Sequence, residues 1–324
     1  MISRRRFLGL AATAAAGCLV PAFAGAERLD GRVVAQQLRT GMGTFVAVVA
    51  ADASRDRAEE AVGLAFRAME SLEPIFSRFN PASPVSVLNE RSRVDAPPEL
   101  ADLAGRCHDL HARTAGAFNP LVLPAQRVLE SGSDDPGAVR EALALADMNG
   151  FSVRGRELRF EKSGMGLTLD GAAKGVIVDR MAEALERAGV SNYCVNAGGD
   201  VRVSGRTERG EPWLVAVENP LGGRREILAL TSGGLATSGG YEVSYGPEEL
   251  FHHILDPARG GSPRGQAQAT AHAPTCGEAD ALATALLVGG PRRGLEWLGP
   301  GRHARLVSRD GGAIASPGWN TLRG

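Results

Sequence analysis

Net charge is nearly absent from this chain: 36 Lys and Arg stand against 37 Asp and Glu, a formal balance of −1. With no basic field to neutralise phosphates, a nucleic-acid partner is excluded. Cysteine is scarce as well, at 4. Beyond Cys18 near the N-terminus, Cys107, Cys194 and Cys276 form an odd, widely spaced set. They supply no disulfide framework, no CxxC and no Cys/His cluster for zinc, and are expected to be small buried hydrophobes. Membrane-spanning runs are missing too: the apolar stretch from Leu8 to Val20 is too short to cross a bilayer. Aromatics are only 5% while Gly reaches 42, which implies tight turns and places where backbone approaches a ligand closely.

What is present begins with a targeting pattern, kept apart from the fold. Ser3-Arg4-Arg5-Arg6-Phe7-Leu8 is a twin-arginine motif, and Ala22-Phe23-Ala24 offers a small-x-small cleavage site. Residues 1–24 are expected to be an export signal that delivers a folded protein to the periplasm. An uncleaved anchor is the plainer alternative. Ala16-Gly17-Cys18 is a weak lipobox, so membrane attachment is expected only with lipidation at Cys18. Residues 25–324 then remain, about 300, enough for one large domain or two small ones. No repeat or low-complexity linker divides them, and one compact domain is expected.

Periodicity supplies the elements. Val33 to Leu38 and Thr44 to Ala51 are predicted strands about a Gly41-Met42-Gly43 turn. Asp56 to Phe76 is a predicted amphipathic helix with Ala61, Leu64, Ala65, Ala68 and Leu72 at helical spacing. Pro81 to Pro84 breaks the chain, Glu99 to Thr114 and Ala138 to Ala146 are predicted helices, and residues 131–137 are a polar loop. Phe151 to Phe160 is a predicted hairpin turning at Gly155. A helix from Val176 to Ala188 follows, then a strand from Tyr193 to Asn196 that ends in Ala197-Gly198-Gly199-Asp200. Trp213 to Glu218, Ile227 to Thr231 and Ala304 to Ser308 are further strands, and Ala279 to Val288 is a helix closed by Gly289-Gly290. Strands and helices mixed in this way indicate an α+β domain.

Four segments could carry chemistry. In Glu278-Ala279-Asp280-Ala281-Leu282-Ala283-Thr284, Asp280 and Thr284 share a helix face, and a carboxylate with a hydroxyl suits Mg²⁺. Taken alone, a surface Asp favoured by the helix dipole is the stronger reading. Thr168-Leu169-Asp170-Gly171-Ala172-Ala173-Lys174-Gly175 puts small residues and a Lys before a helix, either as a phosphate-binding turn or as a plain connection. His252-His253 beside Asp256 could serve as a base or as metal ligands, or be structural. Gly116-Ala117-Phe118-Asn119-Pro120 is a turn whose exposed aromatic either grips a flat ring or packs in the core. Gly198-Gly199-Asp200 lacks the spacing of a dinucleotide fingerprint, and Gly233 to Gly240 lacks the Lys of a P-loop. Ser238 has no nucleophile-elbow context.

Read together, these segments resemble the ApbE family, the FAD:protein FMN transferases. The likeness runs in order through Gly41-Met42-Gly43-Thr44, Ser77-Arg78-Phe79 with Leu88-Asn89, and Gly116 to Pro120. It continues with Gly171 to Gly175 and Asp179, Val195 to Asp200, and Ala236 to Gly239. It ends with His253 to Pro257 and Glu278 to Thr284. The resemblance implies a T-fold-like α+β domain of two lobes, with mixed and antiparallel sheets flanked by helices and a cleft for FAD between the lobes. It implies Mg²⁺ held by Asp280, Thr284 and the Gly171 carbonyl, and a flavin nucleotide lined by Met42, Phe79, Ala117, Phe118, Asn119, Thr168, Lys174 and Ile254. His253 would lie near the acceptor hydroxyl, a Thr or Ser of a partner flavoprotein. By analogy that partner is a subunit of a membrane electron-transfer complex. The sequence departs from the pattern at Phe79 (usually Tyr), Asn119 (often Asp), Leu121 (often Thr) and Thr168 (usually Asp). Three other activities stay open: flavin binding without transfer, docking as an assembly factor, and Mg²⁺-dependent FAD pyrophosphatase activity.

Overall fold

The computed structural model describes residues 31–133, 135–240, 244–245, 251–252 and 254–324. Residues 1–24 (expected to be an export signal), Cys18 and His253 lie outside them. Strands β1 (Val33–Gly41) and β2 (Thr44–Asp52) form a hairpin, followed by helices α1 (Arg55–Phe76) and α2 (Pro84–Arg91). Strand β3 (Arg93–Asp95), then helices α3 (Pro98–Arg113), α4 (Leu123–Glu130) and α5 (Pro136–Leu143), lead to the hairpin β4 (Phe151–Arg154) and β5 (Glu157–Phe160). Helix α6 (Ala173–Arg187) precedes β6 (Tyr193–Ala197), β7 (Asp200–Ser204), β8 (Trp213–Val217), β9 (Glu226–Leu230) and β10 (Ser232–Gly239). The short β11 (Ser244–Tyr245) and β12 (Phe251–His252), then β13 (Gln266–Ala273), precede α7 (Cys276–Gly294), β14 (His303–Ser308) and β15 (Ala313–Ala315).

The scaffold is one eight-stranded sheet in the order β1-β2-β6-β7-β10-β13-β14-β15, antiparallel at every pairing. Both of its faces are covered. Val48, Ala50, Val195 and Ala236 point to the main core with α1, α6 and α7. Their neighbours Val49, Cys194, Val201 and Leu235 point the other way, onto Trp213, Leu228 and Trp319. A strand buried on both sides reads as an unbroken apolar run, as β2 does. Each fully buried Leu or Phe in these layers contributes about 1.5–3 kcal/mol. Helices α2 to α5 and the three-stranded sheet β3-β5-β4 make the second lobe.

Several elements differ from the sequence expectation. The apolar stripe of α1 is rotated: Val62, Phe66 and Met69 are buried, while Leu64 and Ala68 are only partly so. Helix α1 closes before Pro81, at its Ser77 cap, and Pro84 opens α2 at the first helical turn, where a missing N–H costs nothing. Helix α4 and strands β7, β10 and β13 were not anticipated. Gly198 and Gly199 end β6 as expected, and the chain turns straight back into β7. They form the two-residue turn of the β6–β7 hairpin, with φ of 62° and 105°. The helix expected to close at Gly289-Gly290 is interrupted at Gly290 (φ 70°, ψ 177°) and resumes to Gly294. The three downstream cysteines are free and buried, and burial pushes the Cys107 thiol up to about 12. Among the described residues no helix is long and apolar enough to cross a membrane.

Candidate functional site

A cleft lies between the sheet-side helices and the second lobe. Its second-lobe wall is the turn Ala117 to Pro120 with Val122 and Gln126, and its sheet-side wall carries Lys174, Asp200, Ser238, Asp280 and Thr284. Thr168, Asp170, Gly171, Ile254 and Leu255 complete it.

The sheet-side wall depends on how α6 and α7 meet. A Cβ on Gly175 would sit 2.5 Å from the Cys276 carbonyl oxygen and 2.8 Å from Asp280 Cβ. Only glycine allows this contact. It brings Asp280 Oδ2 to 3.0 Å from the Gly175 N–H, which donates to it. The α6 N-terminus has no side-chain cap of its own, so Asp280 satisfies one of its orphan amides from the other helix. Asp280 is therefore 6% exposed, not the surface residue that its spacing alone favours. Thr284 lies one turn on, with its Oγ1 3.2 Å from Ser238 Oγ on β10. Gly171 faces it closely: a Cβ there would be 2.9 Å from Thr284 Oγ1. Gly175→Ala is accordingly expected to cost about 2 kcal/mol or more by overpacking against backbone. Thermal unfolding would show it as a drop of about 2–4 °C per kcal/mol.

Lys174 is not a solvated lysine. Its Nζ stands 3.4 Å from Asp200 Oδ2, and Asp200 is 2% exposed at the start of β7. Thr168 accepts from the Asp170 N–H at 3.3 Å, while Asp170 itself turns outward to Arg78 Nε at 2.9 Å. Arg78 also holds Glu130 at 2.6 Å and stacks over the Phe79 ring at 4.2 Å. The carboxylate two residues after Thr168 is thus paired with an arginine. Asn119 is spent locally: its Nδ2 donates to the Ala146 carbonyl and its Oδ1 accepts from the Leu121 N–H. A carboxylate at that position could not donate to Ala146.

Of the residues singled out in the sequence, Ala117, Phe118, Asn119, Thr168, Gly171, Lys174, Ile254, Asp280 and Thr284 line this one cleft. Phe118 is not exposed as expected: it is 4% exposed and packs in the main core behind the cleft wall. Met42 and Phe79 do not line the cleft. Met42 occupies the tip of the β1–β2 hairpin at φ 53°, held by its N–H donating to Glu73 Oε1. Phe79 is 75% exposed outside the cleft, carried on Arg78. Asp200 and Ser238 were missed as lining residues. Two glycines between apolar runs are a hairpin signal that could have flagged Asp200; nothing local marks Ser238.

The sequence profile of the ApbE family matches residues 42–306. The FAD:protein FMN transferase of Haemophilus influenzae is 30% identical over 241 residues, 68% of this chain and 70% of that protein. The same-named protein of Vibrio cholerae is 31% identical over 157 residues, 47% of each chain. Among solved structures, the ApbE protein of Thermotoga maritima superposes with a TM-score of 0.82 at 26% identity, covering 90% of this chain and all of that one. The apo flavinyl transferase ApbE of Pseudomonas stutzeri gives 0.81 at 26% identity, over 90% of this chain and 98% of its own. With most of its length matched by the family profile, the chain belongs to the ApbE family.

Proposed function

We propose that the chain is an FAD:protein FMN transferase: it moves the FMN half of FAD onto a Thr or Ser hydroxyl of a partner flavoprotein and releases AMP. The observation that carries this reading is the meeting of Asp280, Thr284, Gly171 and Lys174 in one cleft of an ApbE-family chain whose relatives bear that name.

The donor set suits Mg²⁺. Among the described residues no group of three or more His, Cys, Asp and Glu side chains converges as a metal site. A cation here would draw on the Asp280 carboxylate, the Thr284 hydroxyl and the Gly171 carbonyl, all hard oxygens lining one cleft. Bound there, Mg²⁺ supplies charge neutralisation to a diphosphate. Lys174 offers a second positive centre, already held at the cleft wall by Asp200. Phe118 and Ile254, buried at 4% and 8% exposure, exclude water from one side. His253, next in sequence to Ile254, is assigned the role of base for the acceptor hydroxyl. His253→Ala is expected to keep FAD binding and lose about 10²–10⁴-fold in transfer rate. Unchanged transfer would remove that role.

Incubation of the chain with FAD, Mg²⁺ and a candidate acceptor domain tests the activity itself. AMP release with an FMN-sized mass gain on the acceptor is the expected result. Free FMN without acceptor modification means pyrophosphatase activity, and no AMP means binding alone. The acceptor is assigned, by analogy with the family, to a flavoprotein subunit of a membrane electron-transfer complex, and the reaction to the periplasm on the Ser3 to Leu8 and Ala22 to Ala24 patterns. Replacing Arg4 and Arg5 with Lys is expected to leave the precursor in the cytoplasm; export at the wild-type level would reject that address.

A further inference from the structure

The geometry points to Asp179 as a positioning residue for the metal-binding helix, acting on Asp280 from the far side of the α6–α7 pair. The inference rests on the metal reading of Asp280 proposed above.

Asp179 does not face the cleft. It lines a separate polar cavity among α1, α3 and α6, with Glu183, Glu186 and Arg202. Its side chain is 13% exposed. Both carboxylate oxygens are directed at the first turn of α7: Oδ1 accepts from the Cys276 N–H and Oδ2 from the Gly277 N–H, each at 2.8 Å. Helix N-termini leave such amides without intrahelical partners, and a negative charge is favoured there. Gly277 has no room for a Cβ, which would lie 2.7 Å from Val176 Cγ2 on α6.

The two helices therefore exchange carboxylates. Asp179 of α6 caps the start of α7, and Asp280 of α7 caps the start of α6 through the Gly175 N–H. Asp280 and Thr284 follow the Asp179-held turn within one and two helical turns, so the place of that turn sets where both oxygens stand relative to Gly171. Thr275 supplies the comparison. Its Oγ1 accepts from the Glu278 N–H at 3.3 Å, within its own helix. It stabilises the α7 end without locating it against α6. Asp179 does both.

The test uses the folded chain in Mg²⁺ titrations by calorimetry with FAD present, alongside thermal unfolding. Asp179→Ala is expected to weaken Mg²⁺ affinity by about 10-fold, the low end of what losing a group that orients a metal ligand costs, since Asp179 acts one step further out. Asp179→Asn keeps one acceptor oxygen and is expected to fall between the wild type and Ala. Transfer by either variant should recover most of its kcat at saturating Mg²⁺. Thr275→Ala should lower Tm and leave Mg²⁺ affinity unchanged. Wild-type Mg²⁺ affinity in a folded Asp179→Ala or Asp179→Asn chain overturns the inference. So does a loss of affinity in Thr275→Ala that tracks Tm in the same way. A wild-type chain with no Mg²⁺ response overturns the metal reading first, and this inference with it.

Discussion

With Asp280 in the proposed metal role, Asp280→Asn is expected to lower kcat/KM for FMN transfer by about three orders of magnitude or more, because several kcal/mol of charge stabilisation would disappear with the carboxylate. The amide oxygen of Asn still accepts from the Gly175 N–H, so the α6–α7 contact survives. Thermal unfolding of this variant should therefore stay within about 2 °C of wild type. Asp280→Ala is the contrasting case. It orphans the buried Gly175 amide, at a cost of about 1–3 kcal/mol. Separating the two variants matters: activity lost at constant Tm belongs to the missing charge, and activity lost with Tm belongs to the fold. AMP release measured across a Mg²⁺ series decides. An Asn variant that keeps more than a tenth of wild-type turnover at low Mg²⁺ would remove Asp280 from the metal.

Lys174→Met is the second large expected effect, and it appears first in stability. Asp200 is 2% exposed, and losing the cation 3.4 Å away leaves its charge in a poor environment. One-sided removal from a fully buried pair costs about 3–5 kcal/mol. The Lys174 side chain is 27% exposed, so about 2–3 kcal/mol is the better expectation after solvent screening. Asp200→Asn added to Lys174→Met should restore most of the loss, as coupled neighbours do in a double-mutant cycle. Urea unfolding of the four proteins measures it. FAD affinity should fall in both Lys174 variants whatever their stability, since neither retains the positive centre. A double variant no more stable than the single one would show that the pair is not coupled.

The legible parts of the fold were those written in local periodicity. The β1–β2 hairpin, α1, α3, α6 and the first turns of α7 each carry their own apolar spacing, and each occurs within a few residues of its expected limits. Strand β10 was illegible for a physical reason. Its Ser232-Gly233-Gly234 start has the composition of a loop, yet a Cβ on Gly234 would stand 2.3 Å from the Cys276 nitrogen. Gly234 answers to a helix that begins at Cys276, far along the chain, which no window on the sequence can see. Strand β13 alternates as Gln266-Ala267-Gln268-Ala269-Thr270-Ala271, where Ala is too small to stand out as a core residue. At the site, most residues with a motif of their own come together, but Met42 and Phe79 stand outside the cleft and His253 lies outside the described residues. Ser238 and Asp179 meet their partners only through tertiary neighbours, with no local signature of it.

The cleft's walls come from segments as far apart as Ala117 and Thr284, drawn from both lobes and from the central sheet. Ligand occupancy is thereby tied to global folding rather than to any local unit: a ligand at one hundred times its Kd adds about 2.7 kcal/mol to the stability of the whole domain. Flavin fluorescence during refolding should therefore report the final assembly step and remain silent for every intermediate before it.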